Sequence, residues 1–266
     1  MVGDPFAWQT DRMSTIRGAR ERARIEVTAA IKDEARKQLA EQGAPKLSLR
    51  AVARELGMVS SALYRYFPSR DDLLTALIVD AFDAIGAVAE QAVADRTVAE
   101  QAVAEHAEGE RQSGVRAAEA PPAERWVAVA CAVREWALAH PHEYALIYGS
   151  PVPGYVAPMD TVGPAARVGL VLIDIVRGAF RSGDLTLPPL ADELRADAER
   201  MAADFAEGVP PESVAALVAA WAQLFGLISF ELFGQFNRVV EEREALFRQA
   251  AGGLARSVGL RDAGTG

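Results

Sequence analysis

Apolar residues recur along nearly the whole chain at the three-and-four spacing of a helix, and no run alternates apolar and polar residues long enough for a strand. The first helix is predicted over 17–41, with Ile25, Thr28, Ala29, Ala35 and Leu39 on one stripe and Gly43 and Pro45 ending it. Short helices are predicted over 49–56 and 60–66, and a long one from about 70 to about 94. Pro121 and Pro122 open another helix, which carries Trp126, Val129, Val133, Trp136 and Ala137 on one side and stops at His140. Pro141 suits the first position of a short helix through 147. Three Gly and four Pro between positions 149 and 164 impose a structured loop. Helices over 164–182, 191–206, 211–236 and 239–258 complete an all-α chain. The pattern divides it into a flexible tail (1–13), a small helical domain (14–69) and a larger one (70–260), with a flexible polar loop at about 105–120. No run approaches eighteen consecutive apolar residues, so no membrane span is expected.

The small domain carries the sharpest local signals. Ser48 is placed to cap a helix, and Gly57 stands where that helix needs a left-handed residue. After the tight turn at 57–59, Ser60 is placed to cap a second short helix. Leu49, Val52, Ala53 and Leu56 face inward from the first, and Val59, Ala62, Leu63 and Phe67 from the second. Two short helices joined this way form a helix-turn-helix, whose second helix fits a DNA major groove. Its outward residues have the chemistry for that task. Ser60 and Ser61 offer hydroxyls, and Tyr64, Arg65 and Tyr66 offer stacking, phenolic hydrogen bonds and a guanidinium that can grip guanine. Arg50 projects from the preceding helix. Ser69 and Asp72 open the next as a capping box, with Arg70 at a helix start suited to phosphate.

Charge first argues against this reading, then for it. The 266-residue chain carries a net −9. Yet positions 11–70 hold 13 Lys/Arg against 7 Asp/Glu, while 71–266 carry −14. A basic first quarter on an acidic remainder suits polyanion contact at one end. The N-terminal sequence lacks a signal peptide's basic and apolar regions, and the single cysteine, Cys131, falls in an apolar helix, which fits a cytoplasmic protein. His140, His142 and Glu143 are close in sequence but interrupted by Pro141, without the spacing of a metal site. No nucleophile elbow, P-loop or dinucleotide fingerprint occurs. Neither an enzyme nor a cofactor is expected.

The run Leu47-Ser48-Leu49-Arg50-Ala51-Val52-Ala53-Arg54-Glu55-Leu56-Gly57, followed by Ala62-Leu63-Tyr64-Arg65-Tyr66-Phe67 and Arg70-Asp71-Asp72-Leu73-Leu74, resembles the tetracycline-repressor (TetR) family over roughly 17–80. The resemblance implies a three-helix DNA-binding domain followed by a larger helical ligand-binding and dimerisation domain. It places Ser48, Arg50, Ser60, Ser61, Tyr64 and Tyr66 on DNA-contacting positions, Arg65 on a base-facing position and Arg70 on a phosphate-binding one. Tyr66 stands where many relatives have histidine. The run from Trp136 through His140 to Gly149 and Tyr155, with 221–233, resembles the branch of the family whose ligand domain is built on Trp, His and Gly.

These readings make the chain a homodimeric transcriptional regulator of double-stranded operator DNA, released by a small-molecule effector. Trp126, Trp136, Tyr144, Tyr148, Tyr155, Phe180, Trp221 and Phe225 are the candidate effector-site residues, as large rings with polar tips suit a pocket between helices. Ordinary core packing is the alternative for each of them. Helices over 167–180 and 214–236, apolar on more than one face, are the expected dimer surface, with Gly169, Gly226 and Gly234 allowing close approach. An activator of the same fold, or a ligand-binding protein without DNA function, are the competing assignments.

Overall fold

The computed structural model describes residues 7–108 and 120–261, which form two compact units joined along one helix. The first unit comprises Met1–Ile78 and Pro151–Ala157, the second Val79–Ser150 and Pro158–Gly266. The observed boundary therefore falls inside a helix, and a piece of the Gly/Pro-rich loop belongs to the N-terminal unit. Among the described residues there are ten α-helices, short 3-10 turns, and a single isolated β-bridge between Leu185 and Leu260.

In the first unit α1 (Ala7–Gln42) starts ten residues before the predicted position, so residues 7–13, expected as tail, are helical; 1–6 lie outside the described residues. Its 36 residues make a rod about 54 Å long. That far exceeds a three-helix core, and among the residues whose burial is described the buried ones are Ile31, Ala35, Gln38 and Leu39, in the C-terminal part. The predicted stripe fails upstream: Ile25 is exposed, as is Ala29. A 3-10 turn (Ala44–Lys46) leads to α2 (Leu49–Glu55) and α3 (Ser60–Leu63). α2 packs on both α1 and α3. Leu49, Val52, Ala53, Leu63 and Phe67 form the centre, closed by Leu73, Leu74 and Leu77 from the start of α4 (Arg70–Glu108). The returning loop is anchored by a 2.9 Å hydrogen bond between the Tyr155 and Thr75 hydroxyls.

α4 runs well past its predicted end. Residues 105–108, expected in the polar loop, are its last turn, and 109–119 lie outside the described residues. In the second unit α5 (Pro122–Ala139) is central, packed by α6 (Pro141–Tyr148), α7 (Val162–Ser182), α9 (Pro211–Leu232) and α10 (Arg243–Ser257). α8 (Arg195–Phe205) lies on α9. Pro122, Pro141 and Pro211 occupy first helical turns, where a missing N–H costs nothing. The observed α9 stops before the predicted 236, because Gly234 takes φ 84° and turns the chain. α9 is long and apolar enough to cross a bilayer by composition, a possibility the run-length argument missed. Its placement is that of a core helix: Val214, Leu217, Leu224, Phe225 and Ile228 are buried in the unit. Glu231 is also buried, in a two-pronged ion pair with Arg134 of α5 at 2.7 and 2.8 Å. The Arg134 guanidinium lies 5.5 Å from the Phe247 ring centre, tying α10 to the same pair.

Candidate nucleic-acid interface

The turn between α2 and α3 follows from its residues. Ser48, extended at φ −135°, accepts a 3.4 Å hydrogen bond from the Ala51 amide and so caps α2. Its own amide donates to the side-chain carbonyl of buried Gln38, fixing the start of α2 against α1. Gly57 has φ 64°, which lets the Met58 amide turn back to the Ala53 carbonyl at 2.8 Å. α3 is one regular turn, continued by bonds from the Tyr64 amide to the Ser60 carbonyl and from the Phe67 amide to the Leu63 carbonyl, both 3.1 Å. Ser60 is its first helical residue and makes no side-chain cap, contrary to expectation, and Val59 holds the capping position.

Leu63 and Phe67 are buried one turn apart and pin α3 to the core. That spacing forces the residues between them outward. Tyr64 is 41% exposed, Arg65 is exposed and Tyr66 half-buried. Ser60, Ser61 and Arg50 are exposed too, while Ser48 is half-buried in its capping role. Val59, expected to face inward, is 70% exposed beside Ser60. Its extended backbone (φ −69°, ψ 136°) lies outside the helical period used to assign it to the core. The sequence reading missed it as a surface residue, although its place in a tight turn just ahead of a short helix was a signal against helical phasing.

The capping box at α4 is formed: the Ser69 hydroxyl donates to the Asp72 carboxylate at 2.7 Å and accepts from the Asp72 amide at 3.1 Å. Arg70 is half-buried beside it. One guanidinium nitrogen donates to the Ala44 carbonyl at 2.8 Å and another to Asp71 at 3.3 Å, so the side chain ties α4 to the turn after α1.

The eight candidate effector residues separate. Trp126, Trp136, Tyr144 and Phe225 are buried in the second unit. The Trp126 indole N–H meets no acceptor among the described residues. Trp136 stacks on His140 with ring centres 5.1 Å apart. The Tyr144 hydroxyl donates to the Phe225 carbonyl at 3.0 Å and lies 2.9 Å from the Ser229 hydroxyl; burial raises its pKa above the usual tyrosine value. Tyr148 sits 5.2 Å from Tyr144 and 4.1 Å from Phe225, and burial pushes its phenol strongly upward as well. Trp221, 5.6 Å from Phe225, is half out of this cluster and forms one wall of an apolar cleft of about 260 Å³ between α7 and α9. Phe180 is exposed at the end of α7, and Tyr155 belongs to the first unit.

A polar reading surface pinned from beneath by Leu63 and Phe67, on a domain followed by a larger helical one, defines a helix-turn-helix DNA-binding protein. Comparison with known proteins gives the same class. Residues 31–77 match the family described as bacterial regulatory proteins, tetR family, and 126–254 match the tetracyclin repressor-like C-terminal domain. The HTH-type transcriptional regulators Rv1816 of Mycobacterium tuberculosis and Mb1846 of Mycobacterium bovis are each 39% identical over 227 residues, covering 83% of this chain and 86% of theirs. Among solved structures, the regulatory protein SCO4313 aligns at a TM-score of 0.66 with 32% identity, over 88% of this chain and 97% of that one. A Rhodococcus sp. RHA1 protein of unknown function shares the fold at a TM-score of 0.61 with 23% identity, over 86% and 93%. The chain belongs to the TetR family of transcriptional regulators, whose members bind DNA and dimerise.

Proposed function

We propose that the protein is a cytoplasmic homodimeric repressor that holds a palindromic operator and leaves it when a small molecule binds. The observation that carries this reading is the outward set Tyr64 and Arg65 between buried Leu63 and Phe67. In this reading Arg65 and Tyr64 meet base edges, and Val59 adds an apolar contact suited to a thymine methyl. Ser48, Arg50, Ser60, Ser61, Tyr66 and Arg70 position the domain on phosphates.

Two features of the second unit support the remainder. Phe230 is 54% exposed on α9, and nothing lies within 4 Å of the position a side chain at Gly226 would take. That open apolar face is the dimer surface of this reading, and a dimer supplies two reading heads for two half-sites. The cleft walled by Trp221 is its effector site, and its lining of aliphatic and aromatic side chains suits an uncharged ligand.

The test is selection of bound duplexes from a random double-stranded DNA pool by the full chain. The expected product is an inverted repeat with half-site centres about 10 base pairs, or a multiple, apart. Recovery of no preferred sequence at moderate salt would overturn the DNA-reading assignment.

A further inference from the structure

α9 carries two features of opposite shape on one exposed face, both inside the second unit. Toward its N-terminal half lies the α7–α9 cleft of about 260 Å³. The rim of this cleft is exposed and apolar: Leu170 of α7, Phe205 of α8, and Val218 and Trp221 of α9. On the α7 side Gly169 lines it, and nothing lies within 4 Å of the position a Cβ there would take. Further along α9, about 18 Å from Val218 at the helical rise, Phe230 stands out as a knob, its ring resting edge-on against Phe236 at 5.8 Å. Between knob and cleft Ala219, Ala222 and Gln223 are exposed and Gly226 is half-buried, so the face stays low. It continues into an apolar hollow against α10, lined by Gly226, Phe230, Gly253 and Leu254.

No charged residue occurs from Val218 to Phe230, although 24% of the chain is charged. A helix face meant for water carries charge, whereas the core of a protein interface lacks it and holds aromatic residues. Shape then selects the occupant. A second copy related by a two-fold axis presents the same surface, so residue i meets j wherever j meets i. With the two α9 helices parallel, each Phe230 would meet its own counterpart and both clefts would stay open. With them antiparallel and the axis half-way, beside Ala222 and Gly226, the knob of each copy falls on the cleft of the other.

We propose that the protein pairs through antiparallel α9 helices and that the partner's Phe230 enters the α7–α9 cleft, which makes the cleft a site shared by two chains. The inference rests on the homodimer of the reading above and deepens its effector site. An apolar cavity of about 150 Å³ suffices for a benzene ring, so the cleft takes the phenyl group and leaves space beside it for a small apolar molecule. An effector of that class has the partner's Phe230 as one wall of its site, and neither chain alone supplies the whole site.

The experiment measures the assembly of full chains by sedimentation and native mass spectrometry, with circular dichroism alongside. Phe230→Ala removes the knob, and Gly169→Leu fills the cleft from its own side. Both chains should keep the parental helical content, since Phe230 is exposed and glycine is a poor helix former. Each should weaken its homodimer at least about tenfold, as loss of an aromatic anchor from its pocket does. The decisive sample mixes the two. One chain then keeps its knob and the other its open cleft, so the mixed dimer retains one of two contacts where each homodimer retains neither. Half of a tenfold loss in free energy is about threefold, so mixed dimers should outnumber both homodimers together by about that factor. Statistical mixing, or an unweakened homodimer of either variant, would overturn the shared cleft. An unsubstituted chain that stays monomeric at micromolar concentration would instead overturn the homodimer reading on which it rests.

Discussion

The outward face of α3 and the aromatic set of the second unit both hold tyrosines beside apolar neighbours, yet they stand in opposite environments. On α3 the residues with functional chemistry are outside and the anchors, Leu63 and Phe67, are inside. In the second unit Trp126 and Tyr144 are themselves the anchors, fully shielded from solvent, while of the candidate effector residues there Trp221 and Phe180 are exposed and Tyr148 is half-buried. The difference follows from element length. A one-turn helix has a single buried edge, so its other residues must face water. A helix such as α5, enclosed by four others, buries most of its circumference and spends its aromatic residues on packing. An aromatic residue therefore indicates a binding surface only where its element is too short or too peripheral to bury it.

The largest expected effect tests the buried side of this contrast. Trp126→Ala should destabilise the protein by about 3–5 kcal/mol, the cost of emptying a fully enclosed aromatic site, read as a lower urea midpoint. Trp126→Phe should cost much less, because it retains a ring and removes an indole N–H that finds no acceptor. If Trp126 instead lined an effector site, the alanine variant would fold with near-parental stability and lose only its response to ligand. That outcome would erase the distinction between the two aromatic sets.

The contrast also accounts for what the sequence disclosed. The cap at Ser48, the left-handed Gly57, the Ser69–Asp72 box and the proline-initiated helices are set by residues a few positions apart, and all were readable. The errors inside this region were errors of phase: Val59 is extended and stands in the capping position ahead of α3, where the helical period does not apply, and Ser60 is already the first helical residue. The upstream stripe of α1 failed because Ile25 has the right period yet stays exposed, with no element of the described residues covering it. Other features were out of local reach. The Arg134–Glu231 pair joins residues 97 apart, and Arg167 meets Asp83 and Glu90 across a similar separation. Pairing at that range depends on how the helices stack, which periodicity along one helix does not encode.

A middle-sized effect tests the exposed side. Tyr64→Ala and Arg65→Ala should each cost about 1–3 kcal/mol on the selected operator, the usual value of a base contact, and less on random duplex. Neither should move the unfolding midpoint, since neither side chain is buried. Mobility-shift titrations on both duplexes check this. Equal losses on operator and random DNA would reduce the pair to backbone contacts, and a lowered midpoint for Tyr64→Ala would make it an anchor like the aromatic residues of the second unit.

Arg70 carries the smallest and most discriminating effect, because it lies between the two classes: half-buried, bonded inward to the Ala44 carbonyl, and proposed to face phosphate. Arginine has five N–H donors in a planar fork. One bond to Ala44 and one to Asp71 leave three donors over, so the inward contact does not preclude an outward one. Arg70→Ala should then act twice. It should lower stability by about 1 kcal/mol, the usual worth of a hydrogen bond. It should also reduce the log–log salt slope of DNA binding by about 0.9, the contribution of one phosphate contact. Arg70→Lys separates the two roles. Lysine's compact charge can follow a phosphate but cannot fork between it and the Ala44 carbonyl. The lysine variant should therefore keep the parental slope while losing part of the stability. If the alanine variant loses stability with the slope intact, Arg70 is a strut between α4 and the turn after α1. It would then belong with the buried anchors, and the reading surface would end at Tyr66.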